Sequence, residues 1–155
     1  MEYGRIKSIF CSNGVRQGAV LSPLLFSIYV NELIQKLRES GMGCWVGSSF
    51  MGIIAYADDL IILAPRRDVL QKMISISDSY MKEHRIFFST KKTKCMYFGN
   101  RNSDSKDVIK PVEVAGKKSP WVATAVHVGN TLHEDGTMDQ DIKVKRAQFI
   151  ADVQN

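Results

Sequence analysis

Gly52-Ile53-Ile54-Ala55-Tyr56-Ala57-Asp58-Asp59-Leu60-Ile61-Ile62-Leu63-Ala64 is an apolar run broken at its centre by two adjacent carboxylates. Burying an unpaired carboxylate is expensive, so the pattern demands a geometry that keeps Asp58 and Asp59 in water. A β-hairpin supplies one, with two buried strands and the acidic pair at the exposed turn. Side by side the carboxylates repel, which favours either a raised pKa or a bound cation. Oxygen-only ligands suit Mg²⁺, which keeps several waters and takes substrate phosphates as its remaining ligands. A plain Asp-containing turn between two core strands satisfies the same pattern, and the tetrapeptide alone does not separate the two readings.

The flanking sequence does. Upstream stands Gly14-Val15-Arg16-Gln17-Gly18-Ala19-Val20-Leu21-Ser22-Pro23-Leu24-Leu25-Phe26, and downstream Lys91-Lys92-Thr93-Lys94-Cys95-Met96-Tyr97-Phe98-Gly99. In order and spacing these blocks resemble the second half of a reverse transcriptase palm of the non-LTR (LINE-type) retrotransposon kind. The Gly-bracketed block is similar to the family's motif B and Tyr56–Asp59 to its metal-binding motif C. The Lys-Thr-Lys segment resembles motif D, and Cys95–Gly99 the primer-grip strand. The likeness covers roughly residues 5–100.

The resemblance implies roles for individual residues. Asp58 is the metal ligand of motif C and Asp59 its partner, with Mg²⁺ (or Mn²⁺) as cofactor. Lys92 matches the motif D lysine that protonates or neutralises the departing pyrophosphate. Tyr56 lies near the primer terminus, and Arg16, Gln17 and Gly18 line the nucleotide and template pocket. Met96, Tyr97 and Phe98 form the primer grip. Each also has a bland reading: Tyr56 as an aromatic on a strand face, Lys92 and Arg16 as solvated charges, Met96–Phe98 as a core strand. Motif D departs from the family pattern, because Arg85-Ile86-Phe87-Phe88-Ser89 stands where a Gly-Leu-x-x-Asn run is common.

The family's motif A, which carries the first metal-binding aspartate, lies upstream of motif B. Between Met1 and Gly14 the sole acidic residue is Glu2, in no matching context. The expectation is therefore an incomplete catalytic domain, cut at both ends and inactive in isolation.

Across 155 residues, 45% apolar and 24% charged content is that of an ordinary globular domain with one modest core. A net charge of +5 favours acidic partners and fits a phosphate backbone. Cys11, Cys44 and Cys95 are odd in number and widely spaced, which suits reduced thiols in an intracellular protein, nuclear or cytoplasmic. His84, His127 and His133 have no zinc-like spacing with them. No uncharged stretch is long enough for a membrane span.

Periodicity outlines the elements. Residues 5–11 suit a strand, and Gly14 and Gly18 bracket a loop that allows close backbone approach. Ser22 reads as an N-cap and Pro23 as the first helical position, with Leu25, Phe26, Ile28, Tyr29, Leu33 and Leu37 at helical spacing until Gly41. Cys44–Val46 and Ile53–Leu63 give strands. A second helix runs from Arg67 to about His84, with Leu70, Met73, Ile74, Ser77, Tyr80 and Met81 on its core face. Ile86–Phe88 and Lys94–Phe98 read as strands, and Asn100–Asp107 as a polar boundary loop. Val112–Val114 and Val126–Leu132 read as short strands separated by a Gly116–Pro120 turn. A capping box at Thr137–Gln140 opens a last helix with Ile142, Phe149, Ile150 and Val153 on one side.

The fold expected is α+β. The second half of a polymerase palm, an antiparallel sheet backed by two helices, occupies residues 1–100. A short β-rich connection and the start of a thumb occupy 101–155. The function implied by the resemblance is RNA-directed DNA synthesis, with an RNA template, a DNA primer and deoxynucleoside triphosphates as partners and no membrane. The rival is a catalytically inactive remnant that binds nucleic acid or a protein partner.

Overall fold

A computed structural model of the chain describes residues 22–99 and 110–153. The strand expected over residues 5–11, the Gly14–Gly18 loop and the Asn100–Asp107 segment lie outside these residues.

Helix α1 spans Ser22–Glu39 and buries Val30, Leu33 and Leu37. Ile28 and Tyr29, expected on the core face, are exposed, because the buried stripe falls on positions spaced three and four apart around Leu33. Gly41, at φ +68°, ends the helix, and its N–H donates to the Arg38 carbonyl at 3.1 Å.

Two hairpins follow, β1 (Trp45–Val46) with β2 (Ser49–Phe50), and β3 (Ile53–Tyr56) with β4 (Asp59–Ile62). The chain crosses itself where they meet. Cys44 N–H donates to Leu63 O at 3.2 Å, and Leu63 N–H to Gly52 O at 2.8 Å. A Cβ on Gly43 would stand 2.9 Å from the Met73 methyl and 3.0 Å from Gly52 Cα, so the crossing requires glycine.

Helix α2, Arg67–Glu83, buries Met73, Ile74, Ser77, Tyr80 and Met81, as its periodicity predicts, with Leu70 partly buried. Its C-terminus closes with a Schellman pair, Ile86 N–H to Met81 O at 2.8 Å and Arg85 N–H to Lys82 O at 3.0 Å. Arg85 holds the left-handed turn at φ +56° without a glycine. The Tyr80 hydroxyl lies 2.9 Å from Tyr29 O and 3.2 Å from Glu32 Oε2. Burial, reinforced by the Glu32 carboxylate, pushes its pKa up to about 12.

Two apolar clusters flank α2. Leu33, Leu37, Ile53, Met73, Tyr80 and Met81 form one, joining α1, α2 and β3. Ile74, Cys95, Val112 and Val114 form the other. The second cluster docks the hairpin of β5 (Val112–Val114) and β6 (Lys117–Ser119). Polar side chains of α2 complete that docking. The Gln71 amide donates to Glu113 O at 3.0 Å and accepts from Glu113 N–H at 2.8 Å, and Arg67 donates to Lys110 O and Pro111 O. Gln71 thus acts as a surrogate neighbouring strand for β5. The hairpin of β7 (Thr124–His127) and β8 (Asn130–His133) precedes helix α3, Asp139–Val153.

Several elements depart from the sequence pattern. The strands pair as four two-stranded antiparallel ladders, and among the described residues no ladder gains a third strand. Lys117–Ser119, expected within a turn, is a strand, because Ala115-Gly116 alone reverses the chain with φ +50° and +75°. Val126–Leu132 is likewise no single strand but a hairpin, turned at Val128-Gly129 with φ +48° and +72°. Ile86–Phe88 and Lys94–Phe98 form no ladder. Ile86 and Phe88 pack against the first cluster as single side chains, and Cys95 makes one isolated parallel bridge to Trp121. On α3, Ile142 and Phe149 are 59% and 69% exposed. The helix is held to β8 through polar groups instead: buried Asp141 accepts from Thr131 N–H at 2.8 Å and pairs with Lys145 at 2.8 Å. Cys95 is a buried free thiol and Cys44 a half-buried one, while Cys11 lies outside the described residues.

Replacing Leu33, fully buried between α1 and α2, by Ala should lower stability by about 2–5 kcal/mol, read from urea unfolding. Hydrogen bonds from Lys145 and the Thr131 amide hold the Asp141 carboxyl below its ordinary 3.8. A depressed carboxyl stabilises the fold above its unfolded pKa, and that contribution is lost as pH falls through the folded value. Asp141→Asn should therefore be less stable than wild type at pH 7, with the gap narrowing as pH falls below the ordinary carboxylate range and the Asp141 carboxyl takes up its proton. A constant gap between the two urea midpoints would contradict the assignment.

Candidate active site

The acidic pair sits at the end of the β3–β4 hairpin. Pairing runs Ile53–Ile62, Ile54–Ile61, Ala55–Leu60 and Tyr56–Asp59, which leaves Ala57-Asp58 as a two-residue loop. Because side chains alternate along a strand, Ile53, Ala55, Leu60 and Ile62 share one face, and Ile54, Tyr56, Asp59 and Ile61 the other. The first face meets the core through Ile53, Leu60 and Ile62. The opposite face is turned outward, with Tyr56 63% and Ile54 42% exposed. The expectation of two buried strands is corrected here: one face and the whole tip are open to solvent. A two-stranded ladder with one packed face can bury only alternate residues.

Asp59 therefore stands directly across from Tyr56 on the outer face, and Asp58 at the apex of the loop. Both are exposed, and among the described residues neither carboxylate has a hydrogen bond or ion pair. Ala57, the first loop residue, takes φ +49°. That left-handed conformation costs a non-glycine residue about 1–3 kcal/mol and holds the two carboxylates next to one another at the reversal. Carboxylate oxygens, adjacent and without a protein partner, are the donor set that hard divalent cations prefer. Among the described residues, no cluster of three or more His, Cys, Asp or Glu stands ready to enclose a metal.

Lys92 lies elsewhere, in a tight turn after Ser89. Its N–H donates to Ser89 O at 3.0 Å, as does that of Thr93 at 2.9 Å, and its side chain is exposed. No hydrogen bond or ion pair joins Lys92 to Asp58 or Asp59. The segment that follows is fixed from the other side: Ser119 Oγ–H donates to Thr93 O, Cys95 N–H to Pro120 O and Val122 N–H to Cys95 O. Met96 and Tyr97 are half-buried and Phe98 is exposed. The hairpin and this segment meet through Ile62 and Phe88, which touch both apolar clusters. Arg16, Gln17 and Gly18 lie outside the described residues.

Sequence reading missed Gln71, Arg67 and Ser119, the side chains that bind this arrangement together. Their partners lie 26 to 44 residues away along the chain, and nothing local marks them.

The family model described as reverse transcriptase (RNA-dependent DNA polymerase) matches residues 1–143. The chain belongs to the reverse transcriptase family. Among its relatives is a retrovirus-related Pol polyprotein from the type-1 retrotransposable element R2 of Nasonia vitripennis, 38% identical over 72 residues. Another is the type-2 R2DM polyprotein of Drosophila melanogaster, 38% identical over 63 residues. A third, from the R2 element of Popillia japonica, is 32% identical over 75 residues. These alignments cover 46%, 41% and 48% of this chain but 7%, 6% and 12% of the relatives, so the chain spans a small part of their length. They place it with the reverse transcriptases of non-LTR retrotransposons. Among the described residues, no helix is long and apolar enough to cross a membrane.

Ala57→Gly should raise the stability of this family member by about 1 kcal/mol by removing the left-handed penalty. A lower urea midpoint in the glycine variant would show that the turn is not strained.

Proposed function

We propose that this chain carries part of the catalytic centre of an RNA-directed DNA polymerase, which extends a DNA primer on an RNA template from deoxynucleoside triphosphates. One observation carries the reading: a reverse transcriptase family member presents two adjacent, unpaired carboxylates at the apex of an exposed two-residue hairpin turn. Phosphoryl transfer asks the protein chiefly for positioning and charge, so that apex is where the chemistry is assigned. Asp58 and Asp59 would hold Mg²⁺ (or Mn²⁺), the remaining ligands coming from substrate phosphates, water and further carboxylates. When bound, the ions supply charge neutralisation at the attacking and leaving oxygens.

The other residues take supporting roles. Tyr56, across the ladder from Asp59, offers its ring to the primer terminus. Lys92 meets the departing pyrophosphate, Met96, Tyr97 and Phe98 grip the primer strand, and Arg16, Gln17 and Gly18 contact the nucleotide and template. In this reading residues 1–100 belong to the palm, and residues 101–155 to the connection and the start of the thumb.

Addition of Mn²⁺ should broaden amide signals of residues 56–60 first, and Asp58→Asn should abolish that selectivity. In any polypeptide containing this segment that extends a primer, Asp58→Asn should stop synthesis, and Lys92→Ala should slow it by about 10²–10⁴-fold as expected for a lost general acid. Uniform broadening across the acidic residues, or full synthesis by Asp58→Asn, would refute the assignment.

A further inference from the structure

No bond joins Lys92 to the acidic apex, yet the chemistry assigned to them needs a fixed separation. Catalytic groups must be held within about 0.5 Å of the productive geometry. Among the described residues that separation is carried by packing, and the packed route is short. Leu60 adjoins Asp59 on β4, and Phe88 adjoins Ser89, where the Lys92 turn begins. Leu60, Ile62 and Phe88 pack against the same cluster, which contains Ile53 and Met73.

The turn itself is stiff. Ser89 O accepts from Lys92 N–H at 3.0 Å, from Thr93 N–H at 2.9 Å and from the Thr93 hydroxyl at 3.0 Å. Lys92 therefore moves with Phe88-Ser89. Upstream, Arg85 reverses the chain at φ +56° and Ile86 N–H is tied to Met81 O, so residues 86–88 leave α2 in a set direction. Along them Phe87 is 77% exposed, while Ile86 and Phe88 turn inward. Downstream, Cys95 is held between Pro120 O and Val122 N–H, but it packs in the second cluster alone. Phe88 touches both clusters, so it is the side chain of this segment that refers the turn to the hairpin.

We propose that Phe88 is a positioning residue: it fixes the distance from Lys92 to the Asp58–Asp59 apex, and so decides whether the lysine meets the departing pyrophosphate. The inference rests on the polymerase reading above and adds to it a side chain that has no polar atom and does no chemistry itself. Trimming a core residue of purely structural weight lowers stability and leaves that distance alone.

The test uses Mn²⁺ as the probe on the whole chain. Paramagnetic broadening falls steeply with distance. Amide broadening at residues 91–94, divided by that at residues 56–60, therefore reports the separation whatever the occupancy. In the wild-type chain the ratios should differ from residue to residue, as fixed distances require. In Phe88→Ala they should converge on a common value as the turn wanders, while those at Val112–Val114, docked by Gln71, stay as in wild type. Phe88→Leu, which keeps most of the apolar volume, should shift the ratios part of the way, and it carries the test should the alanine variant not fold. In a polypeptide containing this segment that extends a primer, Phe88→Ala should slow synthesis by up to about 10²-fold, a loss that vanishes when Lys92 is already alanine. Wild-type ratios in the folded Phe88 variants, or equal losses with and without Lys92, would overturn this proposal and leave the polymerase reading intact. Absence of selective broadening at residues 56–60 would overturn the metal assignment, and the positioning role with it.

Discussion

Met73 and Ile74 are neighbours on α2, yet they pack into different cores, and the rest of the molecule is arranged around that divergence. Met73 joins Leu33, Leu37 and Ile53, so it fixes α1 and the root of the β3–β4 hairpin. Ile74 joins Cys95, Val112 and Val114, so it fixes the Cys95 segment and the β5–β6 hairpin. Successive helical residues point about 100° apart, which lets a single helix serve as the wall between two apolar clusters. Ile62 and Phe88 bridge the clusters and keep them from moving independently. The acidic apex and the segment bearing Lys92 thus share one support although no direct bond links them.

The legibility of this fold in the sequence follows from the range of the forces involved. Helix α2 is readable almost to the residue, because amphipathic period is a local property and its stripe is nearly all buried. The acidic hairpin is readable for the same reason, since two carboxylates in an apolar run leave few geometries open. Turns are harder. Ala115-Gly116 and Val128-Gly129 carry positive φ at both loop positions, but neither has the Asn or Asp that usually announces such a reversal. One hairpin therefore reads as a single strand, and half of another as a turn. The Ile86–Phe88 run misleads for a different reason: β-branched and aromatic residues also suit single side chains packed on a helix pair.

At the site, types of residue are legible and relations between them are not. The adjacency of Asp58 and Asp59 and their place at a reversal are visible in the sequence, and the family match extends across the blocks around them. What the sequence does not reveal is the way the Lys92 segment is held. That depends on Ser119, Trp121 and Gln71, whose hydrogen bonds are made to backbone groups and so leave no complementary residue to recognise. Side-chain-to-backbone bonds of this kind do not depend on the identity of the accepting residue, which is why pattern reading passes over them.

The open outer face of the β3–β4 hairpin has a consequence for heat tolerance. Its packing is concentrated at the Ile53–Ile62 end, while Tyr56, Ala57, Asp58 and Asp59 touch water. A lone two-stranded ladder is at best marginally stable, so warming should fray it from the apex inward while α1 and α2 stay docked. The carboxylates then lose their fixed spacing before the cores melt. In such a molecule the temperature at which the apex stops being ordered lies below the temperature at which the chain unfolds, and a bound cation or duplex that pins the apex narrows the interval between them.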